Sequence, residues 1–151
     1  VLRGCLGPIE NSRILDQLKL KKGKYILLSA HREENIDAEE NFVQLFTAVN
    51  ALAEKYDMPI LYSMHPRSGK FLKERGFRLD PRVHTHEPLG FFDYNHLQMN
   101  AFAVVSDSGT LPEESSFFRS IGHPFAAVCI LSLQELQKNR CFRLWTQQYL
   151  W

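Results

Sequence analysis

The chain has 151 residues, of which 44% are hydrophobic and 23% are charged, and its formal net charge is +1 at pH 7. This composition predicts one folded domain and excludes a disordered chain. A charge so close to zero argues against nucleic acid or a membrane surface as a partner, and no apolar run approaches the length of a membrane span. Cys5, Cys129 and Cys141 lack a paired pattern, which favours reduced thiols in a cytoplasmic protein.

Residues 1–23 are predicted to be a connector that contains one short helix. Gly4, Gly7 and Pro8 are expected to break the chain early, and Asn11-Ser12 is expected to cap the helix. The chain does not begin with Met, so we expect it to be a piece of a longer protein.

Strands and helices alternate over residues 24–130. The predicted strands are Tyr25–Ala30, Pro59–Met64, Val83–His86, Ala101–Val105 and Pro124–Ile130. The predicted helices are a long one that follows an Asp37/Glu40 capping box, a short one at Gly69–Arg75, one at Asp93–Asn100, and one that starts after Ser108 or Thr110. This alternation predicts an α/β fold, a doubly wound parallel sheet of Rossmann-like type with strand order 3-2-1-4-5.

Polar residues follow the first and fourth strands, where this strand order reverses the winding direction. Ligands bind at such a reversal, so we expect His31 to face the turn at Ser108, Gly109 and Thr110. Free amides and the dipole at the following helix start favour an anion, and a phosphate is the natural ligand. The alternative is a well-capped turn that binds nothing.

Other residues are weaker candidates for a site. His84 and His86 share a strand face but lack a third ligand nearby in sequence, so no metal site is predicted. His65-Pro66-Arg67 either contacts an anion or forms a solvated turn. Phe91-Phe92 and Tyr94 either stack on a base or pack in the core. No dinucleotide or Walker motif is present, and no cofactor is predicted.

Four segments resemble the UDP-N-acetylglucosamine 2-epimerase family in order and spacing. They are Ser29-Ala-His-Arg-Glu-Glu-Asn35, His65-Pro66, Glu87-Pro-Leu-Gly-Phe91 and Ser106-Asp-Ser-Gly-Thr-Leu-Pro-Glu-Glu114. The last segment looks closest to the capsule and O-antigen branch, whose members form UDP-N-acetyl-L-fucosamine. The resemblance covers residues 24–130 and implies the C-terminal half of a two-domain enzyme of the glycosyltransferase-B type.

The resemblance implies roles for five residues around a UDP-sugar substrate. Ser108 and the amides of Gly109 and Thr110 would bind the UDP phosphates. Glu114 would bind the ribose hydroxyls, and His31, the catalytic candidate, would sit beside the diphosphate. The implied reaction eliminates UDP to a glycal intermediate and then adds UDP back, with the proton returned to the opposite face of C2.

Three further residues take part in the expected binding site. Tyr94 would lie near the uracil, and Arg32 and His65 would contact a phosphate or a second nucleotide. The carboxylates that move the C2 proton belong to an N-terminal domain that the resemblance implies and this chain lacks, so the chain alone is expected to be inactive. Whether it forms a homodimer is left open.

The resemblance stops after Ile130. The family continues with a Thr-Glu-Arg-Pro-Glu motif near the phosphates, whereas residues 131–151 form a divergent tail, as expected of a frameshifted or truncated reading frame. Two functions of different class remain: the nucleotide-binding half of a sugar-nucleotide epimerase, and a non-catalytic Rossmann-like module that binds a nucleotide or a protein partner.

Overall fold

A computed structural model describes residues 2–120 and 127–130 of the chain. Five parallel strands form one sheet in the order β3-β2-β1-β4-β5. They are β1 (Ile26–Ser29), β2 (Ile60–Ser63), β3 (Val83–His86), β4 (Ala103–Ser106) and β5 (Ala127–Ile130). The predicted fold class and strand order are confirmed. The predicted start of the fifth strand, residues 124–126, and the tail at 131–151 lie outside the described ranges.

Helices join the strands and precede the first of them. After a 3-10 helix at Leu2–Cys5 come α1 (Leu6–Glu10), α2 (Ile14–Gln17), α3 (Glu33–Ile36), α4 (Glu39–Tyr56), α5 (Pro66–Glu74), α6 (Phe91–Asn100) and α7 (Leu111–Ser120). Within the described ranges, no helix combines the length and apolarity needed to cross a membrane.

Alternate residues of the central strands enter two different cores, because side chains alternate across a sheet. Ile26 and Leu28 of β1 belong to the core that contains Phe46 of α4. Leu27 belongs to the core that contains Leu15 of α2 and Leu97 of α6. Helices therefore cover both faces, as the doubly wound prediction required.

The amino-terminal segment is helical where an early break was expected, so that prediction was wrong. The 3-10 helix contains Gly4, and α1 runs through Gly7 and Pro8. Pro8 lies in the first turn of α1, where a residue has no helical carbonyl partner for its amide, so proline costs little there. Ile9 is fully buried against Met99, which holds the segment to the fold.

The predicted capping box at the start of the long helix was also wrong. The cap residue of α4 is Ala38, which makes no side-chain cap, and Asp37 ends α3 instead. The Asp37 carboxylate accepts a hydrogen bond of 2.5 Å from Arg67. Arg75 donates to the carbonyls of Ile36 and Asp37. Two arginines from α5 and its end therefore hold this corner, and no local capping motif is needed.

Candidate functional site at the winding reversal

The loops that follow β1 and β4 lie side by side. Ser29 and Ser106 are in register at the ends of these paired strands, and the Asp107 amide donates to the Ser29 carbonyl at 3.3 Å. A Cβ built on Gly109 would lie 3.8 Å from Nη2 of Arg32. The His31 loop and the Ser108 turn therefore face each other, as the topology predicted.

A buried carboxylate that the sequence motifs did not single out connects the two loops. Asp107 Oδ2 accepts hydrogen bonds from the amides of His31 and Arg32, both at 2.9 Å, and from Asn35 Nδ2 at 3.0 Å. The Asp107 side chain has no solvent exposure. Burying a charge is costly unless donors surround it, and these three supply that compensation. They also occupy two amides of the His31 loop, which are then not free for a ligand.

The His31 ring lies at the surface of the crevice between these loops. Its Nδ1 is 3.3 Å from Asp107 Oδ1, and its side chain is 54% exposed. With Nδ1 facing the protein, Nε2 is the ring nitrogen left for a ligand. The imidazole is therefore placed to contact an anion that enters the crevice.

The Ser108 turn is held by its own hydroxyl groups. Ser106 Oγ accepts the Ser108 amide at 3.0 Å, and Ser108 Oγ lies 3.0 Å from Thr110 Oγ1. The Thr110 carbonyl accepts the amides of Glu113 and Glu114, both at 3.1 Å, and so opens α7. Of the two predicted cap residues, Thr110 therefore stands at the helix start, while Ser108 Oγ accepts its amide at a long 3.4 Å.

Neither the backbone φ angle of Gly109 nor the packing around it requires a glycine at this position of the turn. Among the described glycines only Gly23 and Gly76 have positive φ, so the turn at Gly109 does not require a left-handed backbone. An added Cβ would meet only Arg32 Nη2, at an ordinary contact distance of 3.8 Å. The Gly109 amide donates to no residue in the described part of the chain. Glycine here leaves space beside an unpaired amide.

Glu114 and Glu113 point in different directions. Glu114 is partly buried, and its Oε1 accepts from Thr110 Oγ1 at 3.1 Å while its Oε2 accepts from Gln98 Nε2 at 3.0 Å. Glu113 is exposed. Only Glu114 is turned toward the residues of the crevice, which include Gln98, a buried polar residue of α6 that the sequence did not mark as functional.

Tyr94 contributes its hydroxyl rather than its ring to this region. The ring packs against the core that contains Leu97. Burial raises the pKa of Tyr94, hydrogen bonds with Ser29 and Gln98 oppose that effect, and the charge of Glu114 adds to it. The hydroxyl therefore has Ser29, at the end of β1, and Gln98 of α6 as hydrogen-bond partners.

Two exposed aromatic rings, Phe91 and Phe92, lie at the start of α6, within one helical turn of Tyr94. They are 48% and 45% exposed, and they meet edge to face with ring centres 5.8 Å apart. Open ring faces are what a nucleobase stacks on, so these two rings are better placed for stacking than Tyr94.

The remaining predicted residues are less central. Arg32 Nη1 pairs with Glu34 at 3.2 Å. His65 Nδ1 accepts the Arg67 amide at 3.3 Å and thereby caps α5, which starts earlier than predicted. Over the described ranges, no group of three or more His, Cys, Asp or Glu side chains is arranged to hold a metal ion.

Comparisons of the sequence with known proteins point to one family. The profile described as UDP-N-acetylglucosamine 2-epimerase matches residues 5–122. A UDP-N-acetylglucosamine 2-epimerase homolog from Methanococcus maripaludis is 33% identical over 116 residues, covering 73% of this chain and 31% of the relative. The UDP-N-acetylglucosamine 2-epimerase of the same organism is 37% identical over 100 residues, covering 63% and 27%. The chain thus spans less than a third of these curated relatives.

Solved structures of similar proteins share the fold. A UDP-N-acetylglucosamine 2-epimerase from Rickettsia bellii superposes with a TM-score of 0.69 at 31% identity, over 87% of this chain and 33% of that one. The enzyme from Methanocaldococcus jannaschii, solved with UDP-GlcNAc and UDP, has a TM-score of 0.70 at 22% identity, over 97% and 45%. At that lower identity the likeness concerns the fold alone.

Proposed function

Because the chain belongs to the UDP-N-acetylglucosamine 2-epimerase family, we propose that it forms the UDP-binding half of a UDP-N-acetylhexosamine 2-epimerase, an isomerase. The observation that carries the proposal is the crevice at the winding reversal, where the His31 ring lies beside the Ser108 turn and the Gly109 amide has no acceptor among the described residues. A diphosphate gains negative charge as its bond to the sugar breaks. An imidazole, aligned amides and a helix dipole stabilise that charge most in the transition state.

The phosphates are proposed to bind Ser108 and the amides of Gly109 and Thr110, with His31 beside them. Among the described residues, the Thr110 amide is held only by a long bond of 3.4 Å to Ser108 Oγ, so a phosphate oxygen can displace that hydroxyl at small cost. Displacement frees Ser108 Oγ to bind the phosphate as well. The ribose is assigned to Glu114, whose carboxylate borders the same turn.

The uracil is proposed to lie near the start of α6. In this arrangement the Tyr94 hydroxyl offers a polar contact, while the exposed rings of Phe91 and Phe92 offer surfaces for stacking. Contact of Arg32 and His65 with a phosphate or a second nucleotide stays a separate prediction. For His65 only Nε2 is left for that contact, since Nδ1 caps α5.

The proposal extends to the substrate, the second domain, the location and the assembly of the whole protein. The Ser106–Glu114 segment supports the capsule and O-antigen branch, and with it formation of UDP-N-acetyl-L-fucosamine. An N-terminal domain is proposed to supply the carboxylates that move the C2 proton, which fits the fraction of each relative that this chain spans. The unpaired cysteine pattern supports a cytoplasmic location. The assembly, monomer or homodimer, is left open.

The test is a titration of the chain with UDP, followed by amide chemical shifts. We expect the largest shifts at His31 and Gly109, and we expect inorganic phosphate to compete. Gly109→Ala should leave the unfolding midpoint unchanged and weaken UDP about tenfold, because the new methyl group blocks close approach to the backbone. Gly7→Ala, which also adds a methyl group into open space, is the matched control.

Some results would reject this assignment. Shifts confined to another part of the chain, or an absence of phosphate competition, would place UDP elsewhere. No response to UDP at all would favour the alternative, a non-catalytic module that retains the motif residues as capped turns.

A further inference from the structure

The two carboxylate oxygens of Asp107 have different surroundings. Oδ2 accepts three hydrogen bonds, from the amides of His31 and Arg32 and from the side chain of Asn35. Oδ1 is buried and makes no hydrogen bond to the described residues, but it lies 3.3 Å from His31 Nδ1. Buried carboxylate oxygens are rarely left without a donor, and the imidazole is within reach. A small turn of the exposed His31 ring completes that bond.

The geometry points to Asp107 as a positioning residue for His31. We infer that Asp107 Oδ1 accepts a proton-bearing Nδ1 of His31 and so directs Nε2 toward the diphosphate; this inference rests on the proposed UDP site. Which ring nitrogen carries the proton is set by the hydrogen bond that the other nitrogen makes. With Nδ1 donating to a carboxylate, Nε2 can donate to a phosphate oxygen only when both nitrogens carry protons, and the carboxylate and the phosphate then each accept from one nitrogen of the same ring.

The surroundings keep this carboxylate fixed. Two of the three Oδ2 donors are backbone amides, so the carboxylate cannot rotate away without opening the His31 loop. Burial raises the pKa of nearby Tyr62 to about 12, so its hydroxyl stays neutral beside Asp107. The other charged groups around the pair are Arg32, which is bound to Glu34, and Glu114 near Tyr94. Fixed in this way, Asp107 can hold one orientation of the His31 ring.

The first experiment measures the ¹⁵N chemical shifts of the imidazole nitrogens in the unmodified chain, without any ligand. The neutral His31 ring is expected to carry its proton on Nδ1. Two other histidines provide references in the same spectrum. His65 accepts an amide at Nδ1 and must carry its proton on Nε2, whereas Nδ1 of His96 lies 2.7 Å from the Ile9 carbonyl and must carry a proton. A His31 pattern like that of His65 would overturn the inference.

The second experiment uses Asp107→Asn, which keeps an oxygen for the loop amides but turns an NH₂ group toward His31. A neutral ring must then accept at Nδ1 and carry its proton on Nε2, and a ring with protons on both nitrogens no longer has an acceptor for Nδ1. We expect UDP to bind about tenfold more weakly and uridine, which has no phosphate, to bind as before. Asp80→Asn, which changes a carboxylate that pairs with Arg82 before β3, is the control.

The outcomes separate this inference from the proposed function. If the unmodified chain binds no UDP, the proposed function fails, while the nitrogen pattern still decides the role of Asp107. Equal losses for UDP and uridine in Asp107→Asn, with the His31 pattern unchanged, would indicate a structural role only and overturn the inference. If Asp107→Asn does not fold, the spectrum of the unmodified chain alone gives the answer.

Discussion

Two histidines follow neighbouring buried strands at the same edge of the sheet, yet they end in different environments. His65, after β2, turns back on its own chain and caps α5 through Nδ1. His31, after β1, places the same ring nitrogen, Nδ1, beside Asp107, which follows β4. The difference follows from the sheet. β1 has β4 beside it across the winding reversal, whereas β2 lies between β1 and β3, on one side of that reversal. The position of a strand, more than the local sequence, separates the two roles.

The two loops are nevertheless in contact. Arg67, just after His65, donates to Glu33 at 3.0 Å and to Asp37 at 2.5 Å on either end of α3. These are exposed pairs, and each contributes little alone. Together they hold both ends of α3, which follows the His31 loop directly. The β2–α5 loop therefore supports the His31 loop through α3.

The contrast between the two histidines would be overturned most completely if His31 itself moved the C2 proton of the sugar. We expect the 151-residue chain alone to incorporate no solvent deuterium at C2 of UDP-N-acetylglucosamine. A base must lie within about 3 Å of that proton, and His31 is proposed to sit at the diphosphate end. Mass spectrometry of the recovered sugar nucleotide measures the exchange. Deuterium that appears with this chain and vanishes in His31→Asn would make His31 a base.

The next largest effect compares the two histidines directly. His31→Asn should weaken UDP about tenfold, the loss expected for a hydrogen bond to a charged group, while His65→Asn should change it less than about twofold. Asparagine is itself a good helix cap, so the second variant keeps the start of α5. Calorimetry or chemical-shift titration measures both affinities. Comparable losses in the two variants would support a phosphate contact for His65.

The sequence contained enough to predict the sheet and the meeting of the two loops. Runs such as Ile26–Ser29, apolar on both faces, indicate buried parallel strands, and connection rules then leave few possible orders. The facing of His31 and Ser108 follows from that order alone. These predictions succeeded because they depend on patterns that extend over whole elements.

The contacts inside the site could not be predicted in this way. Asp107 binds backbone amides as far as 76 residues away, and a backbone amide carries no sequence signal. Gln98 lies on α6, and only the folded chain brings it to Glu114. The one available hint for Asp107 was a charged residue directly after a wholly buried strand, where a carboxylate must find donors. Pro8 misled because its effect depends on where the helix begins.

A smaller effect concerns the ribose, which is assigned to Glu114. Glu114→Gln should weaken UDP about fivefold and inorganic diphosphate hardly at all, because diphosphate has no ribose hydroxyls. Glu113→Gln is the matched control, since that side chain is exposed. The same titrations measure all four affinities. Equal losses for both ligands would count against a ribose contact, and a larger effect at Glu113 would reverse the assignment.

The smallest effect tests the link between the two histidine loops. Tyr62 of β2 donates its hydroxyl to the Ala30 carbonyl, next to His31, at 3.1 Å. Burial raises the Tyr62 pKa from 10.0 to about 12 in the folded chain. A group with a raised folded pKa stabilises the fold below its unfolded pKa, and that contribution is lost as pH rises from 10 toward 12. The loss at pH 10 is about 0.5 kcal/mol.

Tyr62→Phe removes this ionisation and therefore removes its share of the pH dependence. We expect the variant to be less stable than the unmodified chain at pH 7 by about 1 kcal/mol, because the Ala30 carbonyl loses its donor. The gap should narrow by about 0.5 kcal/mol between pH 7 and pH 10, as the unmodified chain loses the advantage of its neutral hydroxyl. Urea unfolding at the two pH values measures it. A stability difference that stays constant between pH 7 and pH 10 would show that folding does not raise the Tyr62 pKa. Tyr62 would then connect the two loops through its hydrogen bond alone.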